Sequence, residues 1–169
     1  MPRFRLLVSY DGTDFHGWQR QEPPGKEPLR TVQGTLEVAV RDALRVPVRV
    51  VGASRTDSGV HAIGQVMAFS ADVRIPVERL PWAINARLPQ DVQTREARIV
   101  RDDFDPISDA VTKCYRYSIV VPSDESRLPP MFELRHAWWH VQPLSVDAMN
   151  AAAARIVGEH DFAAFAHAC

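Results

Sequence analysis

Within the run Gly52-Ala53-Ser54-Arg55-Thr56-Asp57-Ser58-Gly59-Val60-His61, one carboxylate, one guanidinium and one imidazole fall inside ten residues. A carboxylate held in a loop can remove a proton, attack an electron-poor carbon, or stabilise positive charge that develops beside it. A guanidinium within about 4–6 Å keeps such a carboxylate ionised and fixes its rotamer. An imidazole can serve as general acid or base, or as a hydrogen-bonding strut. The same residues also spell ordinary turn chemistry. Asp and Ser bond their own backbone, Gly accepts positive φ, and an exposed Arg–Asp pair stabilises little. Local sequence leaves both readings open.

The elements around the run must position it. Val48-Arg49-Val50-Val51 predicts a strand upstream, and Gln65-Val66-Met67-Ala68-Phe69 predicts one downstream. A loop held at both ends by strands places a side chain precisely enough for chemistry. Earlier in the chain Phe4, Leu6, Val8 and Tyr10 alternate with Arg5 and Ser9, giving a first strand with one apolar face. The polar stretch from Asp11 to Leu29 carries Gly and Pro and reads as a long loop, a length that compact domains usually reserve for function. Thr31 then caps a helix with the stripe Val32, Leu36, Ala39, Val40, Ala43 and Leu44, and Glu37 is expected to pair with Arg41 on its outer face. Strands over 48–53 and 64–70 follow. Pro76 opens a helical stretch bearing Leu80, Ile84 and Leu88, with Pro81 delaying its start, and a strand near 92–100 completes the set.

That order, β-α-β-β-α-β over residues 1–103, predicts an α+β fold beginning with a ferredoxin-like domain. Such a domain has an antiparallel sheet with two helices on one face and leaves the other face for a partner. RNA-recognition modules share this order, but their third strand carries a Lys/Arg-Gly-Phe-type aromatic pattern. Gly64–Ser70 has only Phe69. A second α+β domain is expected over 104–169. There Lys113–Val121 alternates, with Tyr115, Tyr117, Ile119 and Val121 on one face, and Ala137–Val141 reads as a second strand after a Pro- and charge-rich loop over 122–135. Ser145 caps a helix bearing Val146, Met149, Ala153, Ile156 and Val157 that stops at Gly158, and the apolar tail 162–169 follows without a turn or polar cap. A β-β-α unit of roughly 65 residues buries little core by itself, so this domain is expected to be partial.

Composition narrows the class. With 46% apolar and 24% charged residues the chain reads as an ordinary globular protein. No run of about 18 apolar residues suggests a membrane span, and Met1-Pro2-Arg3-Phe4-Arg5 enters a strand pattern without a signal-peptide core. Cys114, Cys169 and the six histidines show no metal-ligand spacing, so a reduced cytoplasmic protein without a metal is expected. The net charge of −1 neither supports nor excludes a nucleic-acid partner, because phosphate binding needs a local basic surface rather than a basic total. Eighteen of the twenty basic residues are Arg, a type suited to bidentate phosphate contact.

The run around Asp57 resembles the signature of the tRNA pseudouridine synthase A family, with Arg55, Thr56, Asp57, Gly59, Val60 and His61 in their expected places. Further matches follow in the family's order: Tyr10-Asp11-Gly12, Phe15, Gly17-Trp18-Gln19 and Gln21; Thr31-Val32-Gln33; Asn85, Leu88-Pro89 and Asp91-Val92. Asp103-Phe104, Ala110, Lys113, Tyr115 and Tyr117 come next, then Gly158, His160-Asp161-Phe162 and Phe165. The resemblance implies a pseudouridine synthase fold in which Asp57 is the catalytic residue and Tyr115 stacks on an extruded uracil. Arg55 is implied as a substrate-binding partner, through Asp57 or through phosphate. Trp18, Gln19, Arg20 and Lys113 are candidate RNA contacts, although Trp18 can instead staple its loop to the core and Lys113 can simply end a strand. The implied reaction converts uridine to pseudouridine at positions 38 to 40 of the tRNA anticodon stem-loop. It needs no redox cofactor and no metal, and the implied assembly is a homodimer spanned by tRNA.

Two departures from the family stand out. Members normally continue with further strands and a long helix, so this chain is expected to lack a C-terminal third. Where they often carry an Arg soon after Phe104, it has Asp105-Pro106-Ile107-Ser108. A non-catalytic RNA-binding module and an inactive truncated remnant are the competing expectations.

Overall fold

Period-two burial sets the centre of the sheet. In the computed structural model, which describes residues 1–122, 128–129 and 131–165, β1 runs Arg3–Tyr10 and every second residue is buried without a break. It lies between β3 (Ala62–Ser70) and β4 (Val92–Val100), with β2 (Val51–Gly52) on the far side of β3. All three pairings are antiparallel. Phe4 faces Phe69, Leu6 faces Met67 and Tyr10 faces Val92, so apolar side chains stack across the strands on one face. Two helices cover that face, α1 (Val32–Leu44) and α2 (Leu80–Asn85), adding Val32, Leu36, Val40, Leu80 and Ile84 to the same core. The result is a mixed α/β unit on an antiparallel sheet.

The helix boundaries follow local chemistry. The Thr31 hydroxyl accepts the Gly34 N–H at 3.3 Å, and the N–H groups of Val32 and Gln33 donate to the Gly17 and Trp18 carbonyls at 3.2 and 3.0 Å. The first loop thereby satisfies donors that the first helical turn leaves unpaired. Pro81 sits in the first turn of α2, where its missing N–H costs nothing, and a 3-10 turn over Val77–Arg79 leads into it.

The strand expected over 48–53 is corrected to Val51–Gly52. Side chains of α1 occupy the backbone of the residue before it. The Val50 N–H donates to the Glu37 carboxylate at 3.1 Å, and the Val50 carbonyl accepts from Gln33 Nε2 at 2.9 Å. Glu37 is therefore turned toward the loop. It takes Arg20 at 3.0 Å in place of the expected Arg41, which pairs with Asp42. Gln33, buried, also accepts the Arg20 N–H at 2.9 Å. Gln33→Leu strands both partners and is expected to destabilise the fold by about 2–4 kcal/mol, whereas Glu37→Gln costs less. Urea denaturation of the two variants checks this; equal small losses would refute the bridge.

The segment 101–110 stays with this first compact unit, Met1–Cys114. Arg3 donates to the Phe104 carbonyl, and Arg101 pairs with Asp103 at 2.9 Å and with Asp109. The Asp105-Pro106-Ile107-Ser108 departure is a self-capping turn: the Asp105 carboxylate accepts from the Ile107 N–H at 3.0 Å and from the Ser108 hydroxyl at 2.9 Å. Those two donors hold the Asp105 carboxyl below its ordinary range, and the Arg101 guanidinium does the same for Asp109.

In the second unit, Tyr115–Cys169, β5 (Ile119–Val120) pairs in parallel with β6 (Trp138–Trp139), and α3 covers Val146–Ala154 with the Ser145 hydroxyl accepting the Ala148 N–H at 3.2 Å. The strands expected over 113–121 and 137–141 are thus two residues each, and the helix ends before Gly158. No described residue of this unit is buried. Two short strands without a third neighbour or a packed face do not propagate, which accounts for their length. Parts of the loop expected over 122–135 and of the tail over 162–169 lie outside the described residues. Among the described residues, no helix is long and apolar enough to cross a membrane.

Candidate active site

Asp57 is held through its neighbours. On its N-terminal side, the Thr56 carbonyl accepts the Trp18 N–H at 2.9 Å and the Thr56 hydroxyl lies 2.8 Å from the Tyr10 hydroxyl. On its C-terminal side, the Phe15 carbonyl accepts from the Ser58 hydroxyl at 3.0 Å and from the Gly59 N–H at 3.4 Å. The turn closes on itself where the Val60 N–H donates to the Asp57 carbonyl at 3.2 Å. The first loop can come this close because of two glycines. A Cβ on Gly12 would stand 2.0 Å from the Val60 carbonyl oxygen, and one on Gly17, at φ +82°, would stand 2.7 Å from that of Thr56. His61 braces the same contact. Its Nδ1 lies 3.1 Å from both the Gly12 N–H and an Asp11 carboxylate oxygen, accepting from the first when unprotonated and donating to the second when protonated.

The Asp57 side chain itself is exposed and makes no hydrogen bond or ion pair among the described residues. It lines a recess of about 390 Å³ together with Arg55, Gln19, His16 and Leu29. Arg55 shares the recess without an ion pair to Asp57, so the expected direct partnership is not made in this structure. A carboxylate whose flanks are fixed and whose oxygens are open is arranged to meet a group that enters from solvent.

Residues 6–107, more than half of the chain, match the profile of a family described as tRNA pseudouridine synthase. The chain belongs to that family. Among curated relatives, the tRNA pseudouridine synthase A of Thermoanaerobacter sp. (strain X514) is 39% identical over 166 residues, covering 98% of this chain and 64% of the relative. That of Moorella thermoacetica is 44% identical over 165 residues, with coverage of 98% and 64%. That of Solidesulfovibrio magneticus is 47% identical over 176 residues, with coverage of 99% and 60%. The chain therefore spans a little under two thirds of the length of these relatives.

The remaining candidates of this pseudouridine synthase family member are placed unequally. Trp18 is 2% exposed; its ring lies against Tyr10, with centroids 6.1 Å apart, and fills the space a Gly52 Cβ would need. Its burial favours the staple reading over a direct RNA contact, and it also contributes to the lining of the recess beside Asp57. Gln19 is half-buried at the recess. The guanidinium of Arg20 is taken by Glu22 and Glu37, which hold its proton more firmly and offset its charge. Lys113 is exposed in a segment without regular structure, and Tyr115, which opens the second unit, is 72% exposed.

Sequence reading missed a set of arginines. Arg95 and Arg98 on β4 are three residues apart, and a register shift around Glu96, at φ +51°, brings both onto the sheet face of Arg5 on β1, turned away from the helices, with Arg5 directly opposite Arg98. Like charges so placed repel. No local signal marks the set, because the shift between Arg95 and Arg98 and the pairing with Arg5 exist only in the folded sheet.

Proposed function

We propose that this chain carries the catalytic loop of an isomerase that converts uridine to pseudouridine in the tRNA anticodon stem-loop, at positions 38 to 40. Asp57 is its catalytic residue. The C1′–N1 bond of the nucleotide breaks, the base turns, and C5 joins C1′; the proton lost from C5 is balanced by one gained at N1. Bond cleavage develops positive charge at the sugar, and one carboxylate beside C1′ meets that need. The observation that carries this reading is the presentation of Asp57: open oxygens at a recess, with Thr56, Ser58 and Gly59 all tied to the first loop.

Arg55, at the same recess, is read as a contact to the extruded nucleotide; for Tyr115 the family resemblance alone supports a base-stacking role. Gln19 and Lys113 are kept as RNA contacts, and Arg20 gives way to Arg5, Arg95 and Arg98. The strand order β2-β3-β1-β4 supports a ferredoxin-like first domain, with the functional division drawn after Asp103. Family membership supports a cytoplasmic homodimer, which gel filtration tests.

The deciding experiment incubates the 169-residue chain with unmodified tRNA and maps pseudouridine by carbodiimide-blocked primer extension. Product at positions 38 to 40 supports the reading, and a folded chain that yields none overturns it for this chain. In the same assay Tyr115→Phe should retain activity that Tyr115→Ala loses.

The opposed arginines make a separate prediction. The double variant Arg5→Ala/Arg98→Ala is expected to weaken tRNA binding for every sequence and to flatten the slope of log K against log salt by about 1–2. Filter binding between low and moderate salt reads both. An unchanged slope would show that this sheet face does not meet phosphate.

A further inference from the structure

We infer that Arg30 and Asp91 form a positioning pair for Asp57, acting through Phe15. The inference rests on Asp57 being the catalytic carboxylate. Arg30 Nη2 lies 3.0 and 2.9 Å from the two carboxylate oxygens of Asp91, and its guanidinium carbon sits 3.9 Å above the centre of the Phe15 ring. The pair also grips the backbone of the first loop. Arg30 Nη1 reaches the Asp14 carbonyl at 3.4 Å, the Arg30 carbonyl accepts the His16 N–H at 2.9 Å, and the Asp91 carbonyl accepts the Asp11 N–H at 2.9 Å. Phe15 is clamped between these contacts and the core, at 1% exposure.

The carbonyl of Phe15 then holds Ser58 and Gly59, the two residues that follow Asp57. A planar guanidinium fits this place because it can lie on an aromatic face while bonding a carboxylate at its edge; an ammonium cannot do both. The side chains of Arg30 and Asp91 remain 40% and 28% exposed. Ion pairs that wet contribute little to global stability. What the pair provides is a fixed position for Phe15, and a misplacement of about 1 Å at a reacting group can cost about 100-fold in rate.

The test uses the 169-residue chain and the variants Arg30→Met, Arg30→Lys and Asp91→Asn. Native-state amide exchange is followed by NMR at Gly59 and Val60 in the Asp57 turn, with Leu6 and Val8 of β1 as reference. Exchange at Gly59 and Val60 is expected to quicken about 10-fold in Arg30→Met, while Leu6 and Val8 keep their rates. Arg30→Lys should fall between, and the double variant Arg30→Met/Asp91→Asn should be no worse than Arg30→Met. With tRNA, the matching expectation is a kcat about 10-fold lower at unchanged KM. Turn amides that hold their rates, or that quicken only as much as Leu6 and Val8, would overturn the inference. So would a loosened turn with unchanged kcat. A chain that makes no pseudouridine at all overturns the catalytic reading for this chain and with it the positioning role, whereas the exchange rates still decide whether the clamp exists.

Discussion

Asp57→Asn is expected to lower pseudouridine formation on the order of 10³-fold or more, with tRNA affinity changed only a few-fold. The substitution keeps the shape of the side chain and removes its charge and basicity. Because the Asp57 carboxylate is exposed and bonds to none of the described residues, no native contact is lost with it. Its effect on stability should lie within about 0.5 kcal/mol. Loss of activity can then be read as loss of chemistry. Single-turnover assays beside thermal melts and tRNA binding separate the three quantities. A variant with a tenth or more of the parent rate would exclude Asp57 from the reaction.

The second large effect is expected at Gly12. An alanine there would place its Cβ 2.0 Å from the Val60 carbonyl oxygen, a backbone atom with no side-chain freedom to yield. The two loops must part, and the turn carrying Asp57 moves with Val60. Gly12→Ala is expected to reduce kcat about 100-fold and to lower stability by about 1–3 kcal/mol, the range of an overpacked site. Gly64→Ala is the matched comparison, since its Cβ would meet only the Arg95 guanidinium at 3.8 Å. Comparable losses in the two variants would show that loop contact is not what sets the rate.

Much of the first unit was legible in the sequence because its signals are local. β1 follows from alternation, α1 from a capping Thr31 and a 3.6-residue stripe, and the late start of α2 from Pro81. The strand over 48–53 was misjudged for a non-local reason: Gln33 and Glu37, more than ten residues away, bond to Val50. Glu37 was read as a surface residue because helical spacing alone puts Arg41 beside it. At the site, the signature pointed to Asp57, but the bracing of its turn by Tyr10, Phe15 and Trp18 depends on how two loops meet. The sequence left Trp18 equally readable as an RNA contact or a staple, and its burial over Gly52 favours the staple. The Arg5–Arg98 opposition needs a strand register, which no single segment contains. In the second unit, alternation over 113–121 was a real pattern without a packed face to make use of it.

The hold that Gln33 and Glu37 keep on Val50 has a consequence for how this sheet can grow. In an antiparallel ladder alternate residues turn their backbone groups to opposite sides, and the Ala53 N–H already donates inward to Val66 on β3. Val50 shares the opposite parity, so its N–H and carbonyl are the ones an incoming strand would seek, and α1 has closed them. At the other margin, β4 is nine residues long, and among the described residues no strand pairs with its outer side. There α2 makes the same move, the Asn85 side chain accepting the Thr94 N–H at 2.8 Å and donating to the Thr94 carbonyl at 2.9 Å. Each border thus carries one residue capped by a helix side chain, and a strand joining along Val92–Val100 must leave Thr94 unpaired or displace Asn85.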